Sequence, residues 1–214
     1  ANYIWSDDNS KLLVFTNTRK VWRQNSRGDY WVLNLANGKL TQLGKGLEEA
    51  TLMFAKFSPD GARVAYVSKL NIYVEDIASG KTTQLTKDGG SNIINGTFDW
   101  VYEEEFELNK SFAFSPDNLM IVFVRFDETA VPSYSFPLFA GQYPANKEFE
   151  YYPGSYSYKY PKAGQKNSTV TVHSFDIKSK VIRKLDIPIK KDDYIPRIRF
   201  TKDENKLAVM TLNR

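Results

Sequence analysis

The sequence predicts an all-β fold, specifically part of a β-propeller, and three observations carry that expectation. A short turn unit recurs four times along the chain, a second hairpin-like unit recurs between its copies, and apolar runs rich in aromatic and β-branched residues follow the turns. Rings make up 14% of the 214 residues, and Tyr (13) and Phe (14) far outnumber Met (3), a bias that suits sheet rather than helix.

The first unit is an aromatic residue, Ser or Thr, any residue, then Asp. Its copies are Trp5-Ser6-Asp7-Asp8, Phe57-Ser58-Pro59-Asp60, Phe114-Ser115-Pro116-Asp117 and Phe200-Thr201-Lys202-Asp203. Pro presets φ and Asp bonds its own backbone, so the chain reverses tightly at each copy. Runs such as 11–15 and 63–67 follow, so the aromatic closes one strand and the run opens its antiparallel neighbour. In the second unit, residues 34–43 (NLANGKLTQL) match 76–85 (DIASGKTTQL) and, more loosely, 176–185 (DIKSKVIRKL). Asn-Gly or Ser-Gly between alternating runs signals a two-residue hairpin. Two hairpins in a period of about 40 residues give the four strands of a propeller blade. Blades are therefore expected at about 1–45, 50–87 and 96–187, with half of a fourth over 190–214. Three and a half four-stranded antiparallel blades cannot close a ring. The chain, which opens and stops in strand-like runs, is expected to be cut from a longer propeller.

Function in a repeat fold tends to sit where the repeat is interrupted. The first interruption is Asp99-Trp100-Val101-Tyr102-Glu103-Glu104-Glu105-Phe106. On a strand Glu104 and Glu105 would point to opposite faces, whereas on a helical turn they lie about 100° apart and can converge on one ligand. A short glutamate-bearing helix or turn is expected there. The second interruption, about 127–166, is rich in Tyr, Phe and Pro and shows no clean period. It reads as a long aromatic loop, either an interaction surface or a lid packed over the propeller.

Composition excludes several function classes. The net charge of +4 comes from 29 basic and 25 acidic residues with the signs interspersed, so no basic stripe suited to nucleic acid forms. The chain has no cysteine, which removes disulfides and thiolate metal sites. The single histidine, His173, lies in a strand pattern and reads as a blade residue rather than a catalytic base or metal ligand. No metal or cofactor is expected. No apolar run approaches the ~18 residues of a membrane span. The Gly-x-Ser-x-Gly nucleophile elbow is missing as well, so this segment is not expected to hydrolyse anything alone.

Over nearly its whole length the chain resembles the dipeptidyl peptidase IV family of the prolyl oligopeptidase clan, in its bacterial type. The stretch from Asp99 to Glu105 is similar to that family's double-glutamate motif, the most specific of the likenesses. Val21-Trp22-Arg23 followed by Tyr30 resembles its arginine-bearing strand, and residues 126–132 and 160–164 resemble the two ends of its propeller arm. The resemblance implies an eight-bladed propeller covering an α/β-hydrolase domain that carries a Ser-Asp-His triad and that this chain lacks. It implies a serine exopeptidase that releases N-terminal dipeptides with Pro or Ala second. Glu104 and Glu105 would then bind the substrate α-ammonium, and Arg23 would contact the carbonyl between the first two substrate residues. Glu103 reads as structural. The arm, about 131–163, would serve a homodimer, and the protein would be periplasmic or secreted.

The chemistry is coherent. An α-ammonium brings three donors and one charge, which two fixed carboxylates satisfy, and its pKa near ~8 keeps it charged beside them. A blocked or internal peptide leaves the carboxylates unpaired, and a site of this kind rejects it. The paired glutamates favour dipeptidyl over tripeptidyl release. The alternative is a non-catalytic propeller that scaffolds protein interactions, with Glu103 to Glu105 as a docking patch. A glycan platform on the aromatic loop has only composition behind it. Convergence of Arg23, Glu104 and Glu105 on one small space separates the first two. Asn95, Asn109 and Asn167 head sequons that matter only in a eukaryotic source.

Overall fold

Each Ser-x-Asp unit folds into the same hydrogen-bonded turn. In the computed structural model, which describes residues 2–21, 23–141 and 147–214, Ser58 Oγ donates to Asp60 Oδ1 at 2.6 Å and accepts from the Arg63 N–H at 3.0 Å. Asp60 Oδ1 also accepts from the Ala62 N–H at 3.0 Å. Ser6 with Asp8, and Ser115 with Asp117, repeat the pattern. In the fourth copy Thr201 Oγ1 accepts from the Asp203 N–H, and Asp203 Oδ1 holds the Asn205 N–H at 2.9 Å. These donors favour the ionised carboxylate. The Ser6 hydroxyl, above all, holds Asp8 far below the usual carboxylate range, and the Asn205 N–H lowers Asp203. The residue after the aspartate is left-handed in the first three copies (Asn9 φ 57°, Gly61 φ 63°, Asn118 φ 63°), which Asn and Gly tolerate best.

Between these turns the strands pair in sequence order. β1 (Asn2–Trp5), β2 (Lys11–Val21), β3 (Gln24–Asn34) and β4 (Leu40–Gln42) are each antiparallel to the next. β5 (Leu52–Phe57), β6 (Arg63–Ser68), β7 (Asn71–Asp76) and β8 (Thr82–Gln84) repeat the order, and a two-residue ladder, Arg27 to Met53 and Gly28 to Leu52, joins β3 to β5. The third unit has the same order, formed by β10 (Phe112–Phe114), β11 (Met120–Asp127), β14 (Thr169–Asp176) and β15 (Ile182–Lys184). β9 (Ile93–Asn95) pairs with the end of β11, and β16 (Tyr194–Phe200) pairs with β17 (Leu207–Leu212). The cores lie between successive units. One joins Leu13, Val32 and Leu43 to Leu52, Phe57 and Tyr66; a second joins Val67, Ile72 and Val74 to Phe112, Ile121 and Phe123. A third joins Val122, Phe126 and Val172 to Phe98, Tyr102 and Ile195.

The second repeat unit makes a longer turn than its Asn-Gly and Ser-Gly pairs suggest. The Asn34 N–H bonds the Lys39 carbonyl at 2.9 Å, and Asp76 to Lys81 and Asp176 to Val181 match it at 3.0 Å, so four residues lie between the paired ones. The Asp76 carboxylate draws in the Ser79 N–H and hydroxyl at 2.9 and 2.7 Å, which shapes the extra residues. The last turn residue is left-handed in all three: Gly38 (φ 68°), Gly80 (φ 69°) and Lys180 (φ 59°). A side chain is strained there, so Lys180→Gly should stabilise the chain by about 0.5–1 kcal/mol despite the extra freedom of glycine when unfolded. A Cβ on Gly80 would meet open space, so Gly80→Lys should cost about the same through backbone strain alone. Urea unfolding midpoints of the two variants test this, and like signs would contradict it.

The aromatic segment holds a hairpin. β12 (Ser133–Leu138) pairs with β13 (Gly154–Lys159), placing Tyr134 opposite Tyr158 and Phe136 opposite Tyr156. Serines alternate with these rings along both strands, so the strand period is present, but over only a few residues of a loop-like composition. Neither strand buries a residue, which removes the usual contrast between core and solvent faces. Residues 142–146 of this arm, and Trp22 of the arginine-bearing stretch, lie outside the described residues.

Candidate functional site

Glu103 and Glu104 sit on the one α-helix among the described residues, α1 (Trp100–Glu104), and Glu105 is its C-cap. Asp99 caps it, as its Oδ1 accepts from the Tyr102 N–H at 3.0 Å and its Oδ2 takes the Ser168 hydroxyl at 2.6 Å. Asp99 is 4% exposed, and burial raises its carboxyl in spite of those donors. Tyr102 anchors the underside of the helix. Its ring stacks on Phe98 and meets Phe126 edge-on, and its hydroxyl accepts from the Ile195 N–H at 2.8 Å. Trp100 turns the other way, onto Tyr160 at the foot of the arm, with ring centroids 4.3 Å apart.

On this scaffold the three glutamates meet different surroundings. Glu104 meets Arg23, Oε2 to Nε at 2.8 Å, with side chains 11% and 84% exposed respectively. Two residues that the sequence places 81 positions apart are therefore in contact. Glu105 is the C-cap residue and lies exposed, its N–H bonded to the Val101 carbonyl at 2.9 Å and its side chain without an ion pair among the described residues. Glu103, read from the sequence as structural, lines a cavity of about 610 Å³ between α1, the arm and the ends of β2 and β9.

The cavity holds residues that sequence reasoning missed. Glu128, just past β11, is 8% exposed and lines it, as do Tyr158 and Lys159 of the arm. Burial and then the charge of Asp99 push Glu128 up to about 7, against the opposing pull of Lys159. Burial and then the charge of Glu104 push Glu103 up to about 7. The sequence signal was faint, since Glu128 appears there only as one residue at the end of the arm motif. His173 sits on β14, stacked on Phe123 and 3.0 Å from the Thr171 hydroxyl, with its pKa lowered mainly by burial. Among the described residues no cluster of His, Cys, Asp and Glu could hold a metal ion, and no helix is long and apolar enough to cross a membrane.

Both raised carboxyls bind a proton more tightly in the folded chain than in the unfolded one. Their contribution to stability is full below the unfolded value of 4.5 and is lost as pH rises through about 7. Glu128→Gln should therefore gain stability relative to the parent as pH goes from 5 to 7.5. Chemical denaturation at the two pH values checks this, and a difference that shrinks with pH would contradict it.

The sequence comparisons point to one family. The model of the dipeptidyl peptidase IV (DPP IV) N-terminal region matches residues 6–214. The chain belongs to the dipeptidyl peptidase IV family. A probable dipeptidyl-aminopeptidase B of Penicillium rubens is 32% identical over 98% of this chain and 24% of its own length. Dipeptidyl peptidase 4 of Trichophyton rubrum is 36% identical over 83% of this chain and 22% of its own length. The crystal structure of Porphyromonas gingivalis dipeptidyl peptidase 4 superposes with a TM-score of 0.90 at 37% identity, over the whole chain and 29% of that protein. The fold is thus the nearly all-β propeller fragment that the repeats predict, and the chain spans about a quarter of the length of these DPP IV-family relatives.

Proposed function

We propose that this chain is the substrate-gating propeller segment of a dipeptidyl peptidase IV-like serine exopeptidase, acting with an α/β-hydrolase domain elsewhere in a longer protein. Glu104 and Glu105 receive the substrate α-ammonium, and Arg23 reaches the carbonyl between the first two residues, so that dipeptides with Pro or Ala second are released. The observation that carries this is the Arg23–Glu104 contact of 2.8 Å on the glutamate helix. It brings a cation suited to a carbonyl and a carboxylate suited to an ammonium into one small space. Arg23 meets Glu104 through Nε, and with its side chain 84% exposed the guanidinium has further N–H groups to offer a substrate. Glu105 follows directly along the chain and is exposed on the same short element. The exposed rings of the arm, Tyr134, Phe136 and Tyr156, supply an aromatic surface for homodimerisation. A periplasmic or secreted location suits the family and the lack of cysteine.

The test is the dependence of hydrolysis on a free substrate amine, in parent and Glu104→Ala. A protein that cleaves amine-blocked substrate equally well is not gated in this way.

A further inference from the structure

The cavity beside the glutamate helix contains two carboxylates for which the α-ammonium anchor has no use. Among the described residues neither Glu128 nor Glu103 makes a side-chain hydrogen bond or ion pair, although Glu128 is more than nine-tenths buried. Asp99, close by, differs, since both of its oxygens are taken by the Tyr102 N–H and the Ser168 hydroxyl. The enclosed side-chain atoms without a partner among the described residues are Ser26 Oγ and Asn95 Oδ1, so the Glu128 oxygens keep some access to solvent although the residue is 8% exposed. Glu128 lines the cavity. Lys159, whose charge acts on Glu128, gives an Nζ–H to the Val131 carbonyl at 3.0 Å.

At about 610 Å³ the cavity is large enough for a long side chain together with water. It adjoins the anchor. Glu103 precedes Glu104 in the helix, Tyr158 in the cavity wall feels the Glu104 charge, and Lys20 and Val21 in the wall stand two or three positions before Arg23 in the sequence. Lys20 and Arg27 carry the opposite sign but are exposed, so water weakens their effect, whereas Glu128 acts from inside the protein.

We propose that this cavity is a subsite for a cationic side chain on the first residue of the peptide, whose ammonium or guanidinium is held by Glu128 and Glu103. This deepens the amine-anchor reading of Glu104 and rests on it. The substrate class is then peptides that begin with Lys or Arg. The side chain leaves the anchored α-carbon, passes Tyr158, and brings to Glu128 the donors that it lacks.

The test uses the full-length protein that carries this segment, with Lys-Pro and norleucine-Pro anilides, which differ by the terminal ammonium, and N-acetylated Lys-Pro anilide as the third substrate. Lys-Pro is expected to exceed norleucine-Pro in kcat/KM by about tenfold, and Glu128→Gln to bring that ratio to within about twofold of one. Should Glu128→Gln fail to fold, Glu103→Gln must lower the ratio. A parent ratio near one with the acetylated substrate still rejected overturns the subsite and leaves the anchor standing. A ratio that survives both substitutions overturns it as well. If the acetylated substrate is cleaved as well as the free one, the anchor fails and the subsite falls with it.

Discussion

Acetylating the amine of a Gly-Pro anilide is expected to lower kcat/KM by about 30- to 4,000-fold in the full-length protein carrying this segment, and Glu104→Ala is expected to do the same. The range corresponds to about 2–5 kcal/mol, the usual cost of removing one partner from a desolvated, hydrogen-bonded charge pair. The upper part requires Glu104 to be shielded from water, and at 11% exposure its side chain is. Arg23, at 84% exposure, is too well solvated to supply an effect of that size through its ion pair alone. Loss of the Arg23–Glu104 pair therefore cannot imitate loss of the anchor. The two changes act on opposite sides of one interaction, so the acetylated substrate with Glu104→Ala should be little worse than either change alone. Full tolerance of acetylation together with an unaltered variant would transfer these glutamates to a protein-docking surface, and the binding-scaffold reading would lead.

The repeats made the fold legible because a propeller writes its turn chemistry into every unit. Ser58 and Asp60, or Ser115 and Asp117, are local devices whose partners lie within five residues, so a one-dimensional pattern contains all of their physics. The glutamate helix was visible for the opposite reason, since three adjacent acids between rings fit no blade strand. The hairpin of the arm escaped because its pattern, serine alternating with an aromatic, is a strand period without a buried face. Glu128 escaped because its character comes entirely from packing. Nothing in residues 126–132 shows that Asp99, nearly 30 positions earlier, lies close enough to raise it. The Arg23–Glu104 contact is equally non-local, and only the family likeness paired the two in advance. Local hydrogen bonding could be read from the chain, whereas burial and long-range charge required the coordinates.

Phe126→Ala is expected to destabilise the chain by about 3–5 kcal/mol, the range for removing a buried ring and leaving its cavity. Phe126 is fully buried on β11, in register with Ile94 of β9 on one side and Val170 of β14 on the other. Its ring meets Tyr102 at 4.8 Å and Phe98 at 5.7 Å, both edge-on, so it supports the helix from below. An effect of this size is a large share of the roughly 5–15 kcal/mol that holds an ordinary domain together. Phe136→Ala provides the contrast. That ring is 41% exposed on the arm, and its loss should cost no more than about 1 kcal/mol although the residue types exchanged are identical. Denaturant unfolding of the two variants measures the difference, and equal losses would show that the packing beneath α1 is no tighter than that of the arm. The consequence for the site follows from Tyr102, which rests on Phe126 and accepts the Ile195 N–H. With the ring removed, Tyr102 loses its edge-on support and α1 its fixed seat, so Glu104 should lose its register with Arg23. In the full-length protein Phe126→Ala should then raise KM for free-amine substrates at temperatures where the fold is still intact, whereas Phe136→Ala should not.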